Sequence, residues 1–264
     1  MENDYAFDVV EKPVVVGELK RGIRVPNKKA IVRTDTEKLL AIVSKRYQVV
    51  THKDVVTQFE TALDAAGSSF QRRAVATYLP YNGAKMFRKY TFEDTAREVV
   101  PGVGDIVKLT LELANSYDGT LMVGFQLGGY RLKCENGLMA PEKLQEIMRK
   151  HYSGFKLEAL VENIQSALPI FDKSVNMWKE WRNVPVHEEK ALELLAPASI
   201  GKKNLKLIVE QFKEEEQNMW GLFQAATWIV SHNIKSAHNA DNSRVKQIGL
   251  ERVLAEKVFY SGMN

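Results

Sequence analysis

The spacing of apolar residues changes once along this chain, and that change sets the fold class. In Ile106–Ala114, Val107, Leu109, Leu111 and Leu113 alternate with Ile106, Lys108, Thr110 and Glu112. A period of two turns one set toward a core and the other toward water, as in a half-buried strand. From Pro141, a residue suited to a first helical position, the period becomes helical. It runs over about 142–152, 155–182, 188–197, 203–216, 217–238 and 242–260. Pro169 is expected to bend or break the second of these helices. Strands first and helices after predict an α+β protein. Its β-rich half, residues 1–140, comprises antiparallel hairpins plus one helix. Its C-terminal half, 141–264, is all helical and is read as an assembly or partner-binding region. No low-complexity linker separates the halves, which leaves a single composite domain open.

Within the β-rich half, Ala30–Arg33 and Leu39–Val50 read as strands. Lys53–Ala66 places Val55, Val56, Phe59, Leu63 and Ala66 at helical spacing, and Gly67 ends that helix. Phe70–Leu79 and Lys85–Phe92 flank Tyr81-Asn82-Gly83-Ala84, and Asn-Gly between two β-prone runs predicts a hairpin. Asp118-Gly119 marks a further turn, followed by Leu121–Gly128 and Gly129–Cys134. Gly124, Gly128 and Gly129 precede a strand rather than a helix. They therefore make no dinucleotide-binding fingerprint and read as a bulge or kink.

The most pointed chemistry lies across the predicted hairpin. Between Ala65 and Phe92 there is no acidic residue, while Arg72, Arg73, Lys85, Arg88 and Lys89 alternate with Phe70, Tyr78, Tyr81, Phe87, Tyr90 and Phe92. Rings stack bases and cations neutralise phosphates, so this composition suits an unstacked nucleic-acid strand. A two-residue turn at Asn82-Gly83 pairs Leu79 with Met86, Tyr78 with Phe87, and Thr77 with Arg88. One face then holds Val75, Leu79, Met86, Tyr90 and Phe92 as core, with Arg73 and Arg88 snorkelling at its margin. The other holds Tyr78 beside Phe87, with Arg72, Lys85 and Lys89 around them. A half-buried hairpin with solvated charges is the plain alternative.

Charge placement agrees with an anionic partner. The net charge is only +4, but residues 1–150 hold 23 Lys and Arg against 19 Asp and Glu, and residues 151–264 hold 14 of each. Lys20, Arg21, Arg24, Lys28 and Lys29 form one further basic cluster. Lys45-Arg46-Tyr47 forms a second, and Tyr130-Arg131-Leu132-Lys133 a third.

Catalytic patterns fail. The one cysteine, Cys134, excludes an internal disulfide and reads as a small buried hydrophobe. His232 and His238 are too far apart for an i, i+4 metal pair. Gly201-Lys202-Lys203 lacks the first glycine and the final hydroxyl of a phosphate loop. No serine sits in a nucleophile elbow. The expectation is a non-enzyme with no catalytic residue, cofactor or metal. Met177-Trp178 with Trp181, and Met219-Trp220 with Phe223, read as core or helix–helix contacts. The acidic start Met1-Glu2-Asn3-Asp4 is unlike a signal peptide, and no run reaches the roughly 18 apolar residues of a membrane span. A cytoplasmic protein of a bacterial host, away from the membrane, is expected.

Four passages carry a resemblance. They are Ser44-Lys45-Arg46-Tyr47-Gln48-Val49-Val50, Asn115-Ser116-Tyr117-Asp118-Gly119-Thr120, Tyr130-Arg131-Leu132-Lys133-Cys134-Glu135-Asn136-Gly137-Leu138, and Trp220-Gly221-Leu222-Phe223-Gln224-Ala225-Ala226-Thr227. Together they resemble the phage- and plasmid-encoded proteins grouped as a domain of unknown function. The chain is also similar in length and context to single-stranded-DNA-binding proteins of short-tailed phages that package their own RNA polymerase. The resemblance implies a mobile-element setting, near replication or recombination genes, and assigns no residue roles. The expected function is sequence-tolerant binding of single-stranded nucleic acid, DNA rather than RNA. Candidate contacts are Arg72, Tyr78, Tyr81, Lys85, Phe87 and Lys89, with Lys45, Arg46, Arg131 and Lys133 further out. Self-association, and a phage or host replication or transcription protein as partner, go with it. Strand annealing, anti-restriction and host-polymerase binding are the alternatives.

Overall fold

A computed structural model describes residues 4–17, 21–100, 105–121, 123–131, 136–139, 157–196, 201–233 and Phe259. The fold is α+β, with a β-rich N-terminal half containing antiparallel sheets and one long helix, and a helical C-terminal half. The strands are β1 (Val9–Val16), β2 (Ile23–Arg33), β3 (Leu39–Ser44), β4 (Arg73–Tyr78), β5 (Lys85–Phe92), β6 (Arg97–Val100), β7 (Asp105–Ser116), β8 (Gly124–Arg131) and β9 (Asn136–Met139). The α-helices are α1 (His52–Ala66), α2 (Leu157–Trp181), α3 (Glu188–Leu195), α4 (Lys202–Phe212) and α5 (Met219–Asn233).

Strands β1, β2 and β3 make one antiparallel sheet in sequential order. The second sheet has the order β4-β5-β7-β8-β9, with β6 also paired to β7. β7 buries Val107, Leu109, Leu111 and Leu113 and leaves Ile106, Lys108 and Glu112 half-buried, as the alternation predicts. Gly128 and Gly129 pair in regular register with Met139 and Leu138. The expected bulge is absent at those two positions, and Gly124–Arg131 is one strand across them.

Helix α1 starts where Thr51 Oγ1 accepts a hydrogen bond from Asp54 N and ends where Gly67 turns to φ 134°. A hydroxyl in that position satisfies an amide that the first helical turn leaves unpaired. Pro169 lies inside α2, and the helix runs through it. The expected helices at 142–152 and 242–260 fall outside the described residues, except for Phe259.

The chain divides into two compact units, each built from three segments. The first comprises Met1–Tyr90, Leu111–Gln126 and Gln145–Gln165. One of its cores joins the first sheet to the β4–β5 turn through Phe7, Ile31, Leu40, Ala41, Val43, Ala84 and Tyr117. In another, Phe59 of α1 packs against Tyr90 and Phe125, with centroids 5.2 Å away in each case. The second unit comprises Thr91–Thr110, Leu127–Leu144 and Ser166–Asn264. Its centre is aromatic: Trp178, Trp181, Trp220, Phe223 and Phe259 are buried, and Trp178 and Phe223 stack at 6.2 Å. These tryptophans are core, as their helical spacing suggests.

Candidate nucleic-acid interface

The acid-free stretch does not stay uncompensated in three dimensions. Helix α1 ends just before it, and Glu60 and Asp64 lie one turn apart on that helix. Arg88 Nη2 meets Glu60 Oε1 at 3.0 Å, and Arg73 Nη1 meets Asp64 Oδ1 at 2.7 Å. Lys85 Nζ lies 3.7 Å from Asp118, which the turn after β7 supplies. Carboxylates from outside the stretch thus answer Arg73, Lys85 and Arg88.

Arg88 is 7% exposed and does not snorkel at a margin. Its guanidinium donates to the Tyr90 hydroxyl at 2.9 Å and to Thr77 Oγ1 at 2.6 Å, and it lies 4.5 Å from the Tyr5 ring centroid. The Tyr90 hydroxyl also bonds Glu60 at 3.1 Å. Burial pushes the Tyr90 pKa up. The Thr77–Arg88 contact fits the pairing read from the hairpin. Met86, Tyr90 and Phe92 are buried as read, but Val75 is exposed because β4 is an edge strand.

The predicted stacking pair is corrected. Phe87 is 5% exposed, and its neighbours Met86 and Arg88 are buried as well, so β5 is covered on both faces here. A base has no access to its ring. Tyr78 and Tyr81 are half-buried, and Lys85 Nζ lies 5.0 Å from the Tyr81 ring centroid. Arg72 is exposed and Lys89 is half-buried. The turn is not a two-residue link. Tyr81–Gly83 form a short 3-10 segment with φ of 56°, 58° and 92°. Arg33 Nη1 donates to Asn82 O and Lys38 Nζ to Asn82 Oδ1, each at 3.2 Å, and these contacts hold the left-handed backbone.

Beneath this turn lies a buried polar network that sequence reasoning missed. His52 Nε2 lies 2.9 Å from the Gly83 carbonyl, and Nδ1 lies 2.9 Å from Asn115 Nδ2. A carbonyl only accepts, so Nε2 carries the proton and Nδ1 accepts from the amide. The same Asn115 nitrogen donates to Val50 O at 3.1 Å. Burial lowers the His52 pKa to about 4, so the ring is neutral. A lone histidine in sequence gives no hint of this, since its partners come from two other elements.

Three of the four passages that carry the resemblance make scaffold, and the side chains of the third, residues 130–138, lie outside the described set. The Tyr47 hydroxyl donates to Ser116 O at 3.0 Å, so the first passage locks onto the second. Asp118 Oδ1 accepts from the Thr120 amide at 2.9 Å and from its hydroxyl at 2.6 Å, as a turn-forming aspartate does. Gly119 has φ 71°, and a Cβ there would lie 3.3 Å from the Tyr47 ring. In the fourth passage, Trp220 Nε1 donates to buried Asp105 at 3.1 Å. A Cβ on Gly221 would lie 2.0 Å from the Glu216 carbonyl oxygen, so only glycine fits.

The family model of a domain of unknown function, DUF932, matches residues 39–250. The chain belongs to the DUF932 family. No curated protein and no solved structure matches it. In this DUF932 protein β1 and β2 precede the matched residues.

That preceding region brings separate basic clusters together. Lys28 lies opposite Ser44, and Lys45 N bonds Asn27 O at 3.1 Å, so the Lys45-Arg46 turn follows β3 beside the strand of Lys28, with alternation turning Lys28 and Lys45 to opposite faces. Lys12 lies opposite Ala30, which places it on the sheet face that carries Lys28. Lys12, Lys28, Lys45 and Arg46 are all exposed. Among the described residues none of these four has an ion-pair partner, whereas Lys29 pairs with Glu11 at 2.6 Å. Arg131 ends β8, with its side chain outside the described set, and Lys133 lies outside the described residues. Among the described residues no cluster of His, Cys, Asp and Glu fits a metal ion, and no helix is long and apolar enough to cross a membrane.

Proposed function

We propose that this DUF932 protein binds single-stranded nucleic acid of a phage or other mobile element, as a non-enzymatic, sequence-tolerant factor. The observation that carries this reading is the exposure of Lys12 and Lys28 on the β1–β2–β3 sheet and of Lys45 and Arg46 in the turn after β3, none with an ion-pair partner among the described residues. Exposed unneutralised cations release counterions when they meet phosphates, and that release drives sequence-independent binding. The backbone contacts therefore move from the β4–β5 hairpin, whose cations are largely committed internally, to the first sheet. Tyr78 and Tyr81 stay as the rings that a splayed base would meet, in the same unit as the basic sheet. Phe87 takes no part.

Fluorescence anisotropy with a labelled oligothymidylate and a matched duplex tests the proposal. Binding of the single strand is expected to be tighter and to fall with salt. The triple variant Lys28→Ala, Lys45→Ala, Arg46→Ala should bind about tenfold more weakly at low salt. Failure of the wild-type protein to bind either probe at low salt would overturn the reading.

A further inference from the structure

We infer that the outer end of the β1–β2 hairpin docks on helix α3 of a second copy of this chain. The inference goes beyond nucleic-acid binding and does not depend on it. At the far end of the hairpin Val16 lies opposite Ile23, and Val15 opposite Arg24. Ile23 is 77% exposed, Val16 63% and Val15 50%. A two-stranded ribbon is marginal in water without cover, and scattered surface valines would not gather at one end of it. Arg21 and Arg24 are exposed beside these side chains and have no ion-pair partner among the described residues. Opposed residues share a face, so Val16 and Ile23 make the apolar patch, Val15 and Arg24 lie on the other face, and Arg21 is two residues before Ile23.

Helix α3 presents the opposite pattern. Leu192 is 41% exposed on it. Glu188 and Glu189 lie one turn before Leu192, on its side of the helix, and Glu193 follows it. Lys190 is the helix's only cation; it pairs with Glu193 at 2.8 Å, and Lys213 reaches Glu188 at 3.4 Å. Glu189 has no ion-pair partner among the described residues. With Glu193 answered by Lys190 and Glu188 by Lys213, Glu189 is the carboxylate left beside the exposed leucine among the described residues. Apolar centres with opposite charges at their edges are what complementary surfaces show. The two patches lie on different segments, so a pair forms either by one such contact, which leaves a hairpin end and an α3 face to extend it, or by two reciprocal ones.

Sedimentation velocity of the full chain, without nucleic acid, tests this. Wild-type protein is expected to grow in size with concentration and to shrink as salt rises. Ile23→Glu and Leu192→Lys should each be monomeric with an unchanged circular dichroism spectrum. Mixed in equal amounts, they should form a dimer and nothing larger, because one retains the α3 face and the other the hairpin end. Should either variant fail to fold, the charge-reversal pair Arg24→Glu and Glu189→Arg replaces it: each alone weakens assembly and the double variant restores it. A wild-type monomer at every concentration, assembly indifferent to both substitutions, or a mixture that stays monomeric would overturn the inference. Ile23→Glu that lowers oligonucleotide affinity with no association in the wild type would reassign the hairpin end to nucleic acid.

Discussion

The β4–β5 hairpin and the β1–β2–β3 sheet carry similar cations but spend them differently. In the hairpin, Arg73, Lys85 and Arg88 face Asp64, Asp118 and Glu60. In the first sheet, Lys12, Lys28, Lys45 and Arg46 are exposed without such partners among the described residues. A run of basic residues in sequence therefore measures local charge, not available charge. What decides availability is whether the fold brings carboxylates from elsewhere. Interior cations hold the protein together, and the proposed ligand falls to the exterior ones.

The sharpest way to break that contrast is at Arg88. Arg88→Met removes a guanidinium that bonds Glu60, Thr77 and the Tyr90 hydroxyl, and losing these charge-assisted bonds costs about 3 kcal/mol. Urea unfolding should show a lower midpoint at unchanged slope. If oligonucleotide affinity fell as far as stability, the division between interior and exterior cations would fail.

The next largest effect lies in pH. His52 titrates near 6.5 when unfolded and at about 4 when folded, because burial disfavours its charged form. Its contribution is fully present above the unfolded value and is lost as pH falls from there toward about 4, because the unfolded chain then binds the extra proton. The loss by pH 4 is on the order of 3 kcal/mol. Thermal melts across this window should show a shallower decline for His52→Gln than for the wild type. Equal slopes would mean that the network beneath the turn does not exclude the proton.

A smaller effect is expected at the turn. A Cβ on Gly83 would lie 2.8 Å from the Phe7 ring, at a φ of 92°. Gly83→Ala should cost roughly 2 kcal/mol, from backbone strain and displacement of that ring. It should leave binding by Lys28, Lys45 and Arg46 nearly unchanged in the anisotropy titration.

Local periodicity made much of the fold legible. The alternation of β7, the helical face of α1 with Gly67 after it, and the aromatic pairs of α2 and α5 all read directly. The β1 strand did not, since Val14-Val15-Val16 lacks alternation and Pro13 interrupts it. Gly128 and Gly129 looked like a bulge because glycine weakens a strand; pairing with β9 keeps them in register. At the candidate site the hairpin was read in isolation. Local sequence leaves Phe87 facing solvent, because nothing in it says that β5 is covered on both faces. The ion pairs were hidden for the same reason, as Glu60, Asp64 and Asp118 all lie outside the basic run. That the Lys45-Arg46 turn runs beside the strand of Lys28 depends on strand order, which periodicity does not encode.

The central claim is that the exposed cations of the first sheet, rather than those of the hairpin, meet the anionic ligand. The slope of log affinity against log salt for an oligothymidylate tests it most directly. For single strands each phosphate contact contributes roughly 0.7 to that slope. Removing Lys28, Lys45 and Arg46 should reduce it by about 2, and removing Arg72 and Lys89 should change it by less than about 0.7. The opposite ranking, with the hairpin pair carrying the larger loss, would contradict the account.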